Sequence, residues 1–297
     1  MSDTTSPRSP ETRIWPPHSP WHDQVRAYIV RDTRGCGLAG HQQLNRFPAS
    51  SHCAITWFLE GSVEVLSYGG VEQRTPLASC IVNGCQTLPI TSRNCGDVNA
   101  FMVVFYPDAF HALFGIYLAP LQNRIFDARE VLPPHGLELI ETVRRAPSHE
   151  ERQHVIERFL AQHAPAIAPT VWTRLRRLGN RITLSFASAM LGVGPRQLQR
   201  IALREAGVNL QSLIRLWRGE RSFIKAQREY LQGKPIALAD HALAVGYADQ
   251  AHLARDCKAQ TGRSPTQLAR DVQTEEADWI YRLPFPTHED PPPSRSP

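Results

Sequence analysis

The chain has 297 residues, of which 42% are hydrophobic, and it carries a formal net charge of +5. This length accommodates two domains of ordinary size, each with its own apolar core. The sequence shows neither the basic start and apolar run of a secretion signal nor the ~18 consecutive apolar residues of a membrane span. We therefore expect a cytoplasmic protein that has no membrane partner.

Both ends of the chain are rich in proline and polar residues, over residues 1–22 and 274–297. Segments of this composition bury too little apolar surface to offset the entropy lost on ordering. We therefore predict two disordered tails.

Residues 23–165 are predicted to form a sensor or dimerisation domain. β-favouring runs separated by clusters of Gly, Asn and Ser predict strands at 25–30, 54–59, 63–68, 78–82 and 100–106. Glu60, Gly61 and Ser62 are predicted to join two of these strands as a hairpin. The spacing over residues 24–106 is typical of a small antiparallel barrel or sandwich. Helices are predicted at 107–114, 136–145 and 150–162, followed by a linker at 164–169.

The interior of such a barrel is a candidate cavity for a small organic effector. Trp57, Phe58, Phe101 and Phe105 are the aromatic residues that could line it. The alternative is that these side chains fill a core that holds no ligand. The sequence assigns no cofactor and no cofactor-binding residue.

One pattern occurs twice, in residues 184–207 and 238–262: a small residue, Gly, a hydrophobic residue, Leu-x-Arg and a second Gly. The copies comprise Ser188, Gly192, Val193, Leu198, Arg200 and Gly207, then Ala242, Gly246, Tyr247, Leu253, Arg255 and Gly262. Gly adopts positive φ in a turn, and small residues let two helices cross closely. Each copy therefore predicts a helix-turn-helix unit.

In the first unit, a helix at 184–191 and a turn precede a second helix at 195–206, with Pro195 at its first position. Helical spacing turns Leu198, Ile201 and Ala202 inward. The outward side chains, which are predicted to contact DNA, are Arg196, Gln199, Arg200 and Arg204.

In the second unit, a helix at 236–245 precedes a second helix that Asp249 caps and that continues to Gln260. Leu253 and Cys257 are predicted to face inward. The outward residues, which are predicted to contact DNA, are Gln250, Ala251, His252 and Arg255.

A basic, helical segment connects the two units. Its apolar residues recur at helical spacing, and a helix of that span would be ~30 Å long, close to one turn of duplex DNA. Residues 170–273 contain 17 Lys and Arg against 7 Asp and Glu, a balance of +10, so the rest of the chain sums to −5. This local surplus predicts a polyanion partner whose affinity falls steeply with salt. The alternative is a solvated basic surface.

Residues 170–272 resemble the DNA-binding domain of the AraC/XylS family of bacterial transcription regulators. The resemblance rests on Leu-Gly-Val-Gly-Pro-Arg-Gln-Leu-Gln-Arg (191–200), Val-Gly-Tyr-Ala-Asp-Gln-Ala-His-Leu-Ala-Arg (245–255) and Gly-Arg-Ser-Pro (262–265). It implies double-stranded DNA as the partner. It implies base contacts from Arg196, Gln199, Arg200, Ala251, His252 and Arg255.

The resemblance also implies a cupin-like N-terminal domain, a small-molecule effector, a homodimer and contact with RNA polymerase. The expected fold is α+β, with a β-rich barrel and flanking helices followed by two helix-turn-helix units joined by a long helix. The expected function is a sequence-specific transcription regulator. The expected mode of regulation is activation, although the residues do not distinguish activation from repression.

The sequence offers little evidence for catalysis, metal binding or redox chemistry. Six cysteines occur without a C-x-x-C pair, so we expect most to be buried thiols, with Cys257 in a core. No catalytic motif and no compact metal-ligand motif is present, and neither catalytic residues nor a metal site are predicted. Three alternatives stay open: a redox- or metal-responsive regulator, a cupin-type metalloenzyme fused to a DNA-binding domain, and an architectural DNA binder without sequence preference.

Overall fold

The computed structural model describes residues 8–164, 192–233 and 237–285. The N-terminal part is built from strands β1 (Glu11–Trp15), β2 (Val25–Asp32), β3 (Leu44–Phe47), β4 (Cys53–Glu60), β5 (Val63–Tyr68), β6 (Val71–Pro76), β7 (Cys80–Asn83), β8 (Ile90–Asn94), β9 (Asn99–Phe105) and β10 (Ile125–Asp127). They form two antiparallel sheets, with orders β1-β2-β9-β4-β7-β10 and β3-β8-β5-β6. The predicted α+β fold with a β-rich N-terminal domain is confirmed.

The first sheet is apolar on both faces, because successive side chains of a strand point to opposite sides. In β4, Ile55 and Trp57 belong to the main core, whereas Phe58 lines an internal cavity. This alternation corrects the predicted lining of the cavity. Phe58 does line it, but Trp57, Phe101 and Phe105 lie in the core on the opposite face.

Helices α1 (Pro107–Phe114), α2 (Ala128–Val131), α3 (Pro134–Arg145) and α4 (His149–His163) follow the strands. Leu139 and Ile140 of α3 and Ile156 of α4 are buried in the main core with Trp57. The helix α4 begins where the Ser148 hydroxyl accepts a hydrogen bond from the Glu151 backbone N–H at 3.1 Å. The predicted helices of this region are therefore confirmed.

The prediction of a disordered tail over residues 1–22 is wrong for β1. Glu11–Trp15 pairs antiparallel with β2, in register from Glu11↔Asp32 to Trp15↔Tyr28. The Trp15 ring stacks on Tyr28 with 5.8 Å between centroids, and its Nε1 donates to Gln153 Oε1 at 2.7 Å. The contacts of Trp15 and the pairing of β1 with β2 therefore order this proline-rich segment.

The predicted hairpin at Glu60, Gly61 and Ser62 is also wrong. The strands that it connects lie in different sheets, since β4 pairs with β7 and β9 while β5 pairs with β6 and β8. Gly61 has φ +80°, and a Cβ added there would lie 2.0 Å from the Asp97 carbonyl oxygen. The glycine thus carries the chain tightly from one sheet to the other.

The C-terminal part is helical. It contains α5 (Pro195–Ala206), α6 (Leu210–Leu231), α7 (Leu238–Ala244), α8 (Gln250–Thr261) and α9 (Pro265–Thr274), then a 3-10 helix at Glu276–Arg282. The described part of this arrangement agrees with the prediction: the long helix α6 connects α5 to the second unit, which consists of α7 and α8. The predicted first helix of the first unit, residues 184–191 with Ser188, and residues 165–169 of the predicted linker lie outside the described residues.

The prediction of a disordered tail from residue 274 is wrong for residues 276–283, which we call the clasp segment. Asp278 and Trp279 are buried there, and Trp279 Nε1 donates to Asn45 Oδ1 at 2.8 Å. The Trp279 ring also meets Phe47 edge-on at 5.7 Å. The clasp segment is ordered because these long-range contacts with β3 bury its aromatic side chains.

Candidate nucleic-acid interface

The first recognition helix, α5, has the two faces that its sequence predicts. Leu198, Ile201 and Ala202 are buried, while Arg196 and Arg200 are exposed. Pro195 occupies a first-turn position, and Gly207 ends the helix with φ +71°. Within the described residues, neither Arg196 nor Arg200 makes an ion pair. Two guanidinium groups therefore stand on the outer face of this helix.

Gln199 and Arg204, also predicted to contact DNA, have partners within the protein. Gln199 Oε1 accepts a hydrogen bond from the Leu210 backbone N–H at 3.1 Å, which stabilises the start of α6. Arg204 is exposed and pairs with Glu205, with Nε donating to Oε1 at 2.6 Å. The amide nitrogen of Gln199 is therefore the part of its side chain left for a base, and Arg204 is partly neutralised.

The second recognition helix, α8, begins as predicted. The Asp249 carboxylate accepts a hydrogen bond from the His252 backbone N–H at 2.7 Å. Gln250, Ala251 and Arg255 are exposed, in the positions expected for contact with DNA. On the inner face Leu253 is buried, whereas Cys257 is only half-buried. The outer face of α8 therefore carries fewer charges than that of α5.

His252 lies at the edge of this surface, with its ring turned towards the protein. The ring meets Tyr247 edge-on at 5.1 Å, and Arg218 Nη1 lies 3.5 Å from His252 Nε2. The guanidinium of Arg218 also sits over the Tyr247 ring, 5.1 Å from its centroid. His252 thus connects α8, its preceding turn and α6, a role that its sequence position does not indicate.

The long helix α6 supports both units. Its 22 residues span ~33 Å at about 1.5 Å per residue, and both α5 and α8 pack against it. Gln260 Nε2 donates to the Arg215 carbonyl at 3.0 Å, and a Cβ on Gly219 would lie 1.9 Å from Gln260 Oε1. Gly219 therefore gives the Gln260 side chain room against α6. The repeat pattern contains neither residue, so this contact could not be predicted from it.

The first unit contacts the N-terminal domain through apolar groups and backbone. Leu198, Leu213 and Trp217 share a core cluster with Ala49 and Cys85 of the N-terminal domain. Beside this cluster, Gly207 lies so close to the chain that an added Cβ would be 2.5 Å from the Leu118 carbonyl carbon. This side of the C-terminal domain therefore sits directly on the N-terminal domain.

The second unit contacts the N-terminal domain through polar groups. The Ala49 backbone N–H donates to the Gln260 carbonyl at 2.8 Å. Arg263 donates two hydrogen bonds of 2.6 Å to the fully buried Asp278 carboxylate, and Arg46 of β3 donates a third at 3.0 Å. Burial lowers the pKa of Arg263, but the hydrogen bonds and charge of Asp278 raise it, with a net result above its usual value. The clasp segment therefore ties α9 and its preceding turn to the sheet.

A cavity of about 860 Å³ lies between the inner faces of the two sheets and the C-terminal domain. Its walls include Val65 and Met102 from the sheets, Phe223 from α6, Val272 from α9 and Trp279 from the clasp segment. A volume of this size is within the range of small-molecule sites. The cavity therefore has walls from both domains, although the predicted site was the barrel interior alone.

The cysteines are all unbridged. Cys36, Cys53, Cys80 and Cys85 are buried, Cys257 is half-buried and Cys95 is exposed. Burial raises the pKa of Cys53 well above its usual value and raises those of Cys80 and Cys85 to about 12. Such thiols are rarely ionised at neutral pH and are poor redox sensors. The expectation that most cysteines are buried thiols is confirmed.

Two features are absent from the part of the chain that the structure describes. No group of three or more His, Cys, Asp or Glu side chains there could hold a metal ion. None of the helices there combines the length and apolar character that crossing a bilayer requires.

Residues 187–271 match a protein family described as a helix-turn-helix domain. This segment is an AraC-type helix-turn-helix domain, as the sequence motifs indicate. No curated protein matches the chain. ToxT from Vibrio cholerae O395 is a similar solved structure, with 10% identity, a TM-score of 0.41, and coverage of 90% of this chain and 98% of ToxT.

Two more solved structures are similar. A second ToxT structure from Vibrio cholerae has 11% identity, a TM-score of 0.40, and coverage of 88% of this chain and 97% of that one. The C-terminal domain of AraT, a response regulator from Geobacillus stearothermophilus, has 24% identity and a TM-score of 0.30. That alignment covers 36% of this chain and 88% of AraT's domain.

Proposed function

We propose that this protein is a sequence-specific transcription regulator that reads DNA with α5 and α8. The proposal depends on one observation: an AraC-type helix-turn-helix domain presents Arg196, Arg200 and Arg255 on the exposed faces of its two recognition helices. Arg donates two hydrogen bonds to guanine O6 and N7, a contact worth about 1–3 kcal/mol of discrimination. An architectural DNA binder needs only phosphate contacts.

The proposed contacts follow from the accessible atoms. Arg196 and Arg200 of α5 and Gln250 and Arg255 of α8 would contact base edges, while the amide nitrogen of Gln199 would add one donor. Arg204 is assigned to phosphate because Glu205 already engages its guanidinium. Ala251 can offer only apolar contact with a thymine methyl group, and His252 is assigned mainly to holding α8.

The test is to footprint the full-length protein on the DNA upstream of its own gene and then measure the affinity of Arg200→Ala. We expect roughly 5- to 150-fold weaker binding to the protected sequence, from the loss of about 1–3 kcal/mol. Binding to random duplex should weaken much less. Arg129→Ala is a matched control, because this arginine is 61% exposed but lies in the N-terminal domain.

The result that contradicts sequence-specific reading is an equal loss on both DNAs. That outcome, with a steep dependence on salt, would indicate phosphate contacts alone and an architectural protein. A full loss in Arg129→Ala would instead show that total charge, rather than the face of α5, determines binding.

An effector is the second part of the proposal. The cavity between the domains is supported as its site by its size and by walls that belong to both domains. A ligand changes DNA binding only if it binds two arrangements of the domains with different affinity. Addition of an effector to the protein should therefore shift its operator affinity, whereas a ligand that binds both arrangements equally leaves the affinity unchanged.

Assembly and transcriptional output complete the proposal. By family resemblance, residues 23–165 dimerise and the bound regulator activates transcription through RNA polymerase. Sedimentation equilibrium tests the first statement, because a dimer doubles the fitted mass. In vitro transcription from the footprinted promoter tests the second, because repression would lower the yield of transcript.

A further inference from the structure

We infer that Gln260 is a positioning residue, which fixes the angle of α8 on α6 and thereby the operator spacing that the protein accepts. The inference rests on the proposed function, since it concerns how the two recognition helices meet DNA. It follows from the polar character of the buried face of α8 and from the contacts of Gln260 with α6 and with the N-terminal domain.

The two recognition helices bury faces of different chemistry. All the buried side chains on the inner face of α5 are apolar, namely Leu198, Ile201, Ala202 and Ala206. The buried residues of α8 are Leu253, Asp256 and Gln260, two of which are polar. Apolar burial is non-directional, whereas a hydrogen bond requires a defined distance and angle. The position of α8 therefore depends more on individual polar contacts than that of α5 does.

Gln260 makes a firm polar contact between α8 and α6. Its side chain is buried, and its Nε2 donates to the Arg215 carbonyl at 3.0 Å. A second approach between these helices, from Arg218 Nη1 to His252 Nε2, is 3.5 Å long and exceeds the usual range for an N–H donor. Asp256 lies 3.9 Å from His252 of its own helix. Of these contacts, that of Gln260 has the distance of a good hydrogen bond, and it determines where α8 lies on α6.

Gly219 makes this contact possible. In an α-helix the Arg215 carbonyl also accepts from the N–H four residues later, which is that of Gly219. A carbonyl has two lone pairs, and the missing side chain at Gly219 leaves the second one open to Gln260. A Cβ on Gly219 would lie 1.9 Å from Gln260 Oε1. Glycine destabilises a helix interior relative to alanine, so the room that Gln260 needs explains its presence in α6.

The backbone of Gln260 also contacts the N-terminal domain. Its carbonyl accepts a hydrogen bond from the Ala49 N–H at 2.8 Å, so this one residue connects α8, α6 and the N-terminal domain. At the other end of α6, Gln199 Oε1 of α5 accepts from the Leu210 N–H at 3.1 Å. Because α6 is one continuous helix, these two contacts hold the recognition helices at a fixed separation.

Operators with altered spacing test the inference. One base pair inserted between the two protected segments moves the second segment by about 3.4 Å and turns it by ~35°. The wild-type protein should bind this lengthened operator roughly tenfold more weakly or worse, because α8 loses its base contacts.

The informative variant is Gln260→Ala. It should bind the native operator about threefold more weakly than the wild-type protein or worse, from the loss of one hydrogen bond. It should bind the lengthened operator more tightly than the wild-type protein does, because α8 is free to follow the shifted segment. A variant that only destabilises the second unit would weaken binding to both operators. A lengthened operator that Gln260→Ala binds no more tightly than the wild-type protein does would overturn the inference.

Two further variants test the cause. Gly219→Ala should behave like Gln260→Ala, because the new Cβ displaces the flexible end of the Gln260 side chain. Alanine favours the helix, so lost helix propensity in α6 would not explain the result. Gln232→Ala removes an exposed glutamine at the end of α6 and should leave both affinities unchanged. Wild-type spacing preference in Gly219→Ala, or a relaxed preference in Gln232→Ala, would overturn the inference.

A measurement without DNA separates this inference from the proposed function. Nitroxide labels can be attached through p-acetylphenylalanine at two exposed positions, Leu203 of α5 and Ala259 of α8. Double electron–electron resonance should then give a broader distance distribution with Gln260→Ala than without it. Equal widths would overturn the inference even if the protein reads its operator. A broader distribution in a protein without sequence preference on DNA would contradict the proposed function and leave the role of Gln260 in positioning α8 supported.

Discussion

The two helix-turn-helix units share a sequence pattern but attach to the N-terminal domain by different means. The first unit sits on it through an apolar cluster and the close approach of Gly207 to Leu118. The second unit is held by the buried ion pairs of Arg263, Asp278 and Arg46. The strength of an apolar contact depends on the surface that it buries. Removal of one member of a buried charge cluster instead leaves another charge without its partner.

The two units also differ in their contact with the cavity between the domains. Its described lining includes residues of α6, α7, α8 and α9 and of the clasp segment, but none of α5. A ligand in the cavity would therefore contact the second unit and the long helix directly.

The largest expected effect comes from breaking the polar attachment. Asp278→Ala leaves the buried guanidinium of Arg263 without its main partner, and removal of one member of a buried ion pair costs about 3–5 kcal/mol. Urea unfolding of the full chain should show this loss. Asp271→Ala is the control, because Asp271 lies 3.4 Å from Arg263 and leaves both bonds to Asp278 in place. Equal losses would mean that the ion pairs do not hold the second unit.

The apolar attachment is tested by comparing two equivalent glycines. Gly207 and Gly262 end the two recognition helices with φ of +71° and +77°, so Ala at either position costs about 1–2 kcal/mol of backbone strain. Only at Gly207 would the new Cβ also meet backbone, at 2.5 Å from Leu118, which adds about 1–3 kcal/mol. The melting temperature of Gly207→Ala should therefore be clearly lower than that of Gly262→Ala. Similar melting temperatures would argue against direct docking of the first unit.

The next prediction tests whether His252 stabilises α8 or contacts DNA. His252→Ala removes the edge-on contact with Tyr247 and should lower the free energy of unfolding by about 1 kcal/mol. Gln250→Ala, at an exposed position of the same helix, should change stability much less. If His252→Ala loses operator affinity but keeps its urea midpoint, the predicted contact of His252 with DNA bases would be supported instead.

The smallest effect is a pH dependence of stability where the long helix α6 meets the second unit. A hydrogen bond from Lys225 is the main cause that lowers the pKa of Glu229 below its usual 4.5, and His241 adds a second one. A lowered carboxyl pKa stabilises the folded state above pH 4.5, and this stabilisation is lost as the pH falls through the folded-state pKa. Glu229→Gln should therefore be less stable than the wild-type protein at pH 7, with a difference that shrinks below pH 4.5. A constant difference across this range would exclude ionisation of Glu229 as the cause.

Local patterns in the sequence predicted a large part of this molecule. Alternating and helical spacing located β2, β4, β5, β7 and β9 and the two recognition helices, because those periods record which side of an element is buried. Pro195, Asp249 and the glycines of the repeat marked helix ends, because caps and turns depend on neighbouring residues. The exposed positions of Arg196, Arg200 and Arg255 follow from the same periodicity.

Tertiary structure decided the features that depend on residues far apart in the chain. Gly61 connects two sheets rather than two paired strands, and Trp57 faces helices rather than the cavity, because strand pairing is not encoded within one segment. Trp15 and Trp279 order segments that look disordered by composition, because their partners lie more than a hundred residues away. The sequence by itself determined which elements form and which faces they bury. Only the folded chain determined which partners each face meets, because contact energy depends on distance in space rather than along the chain.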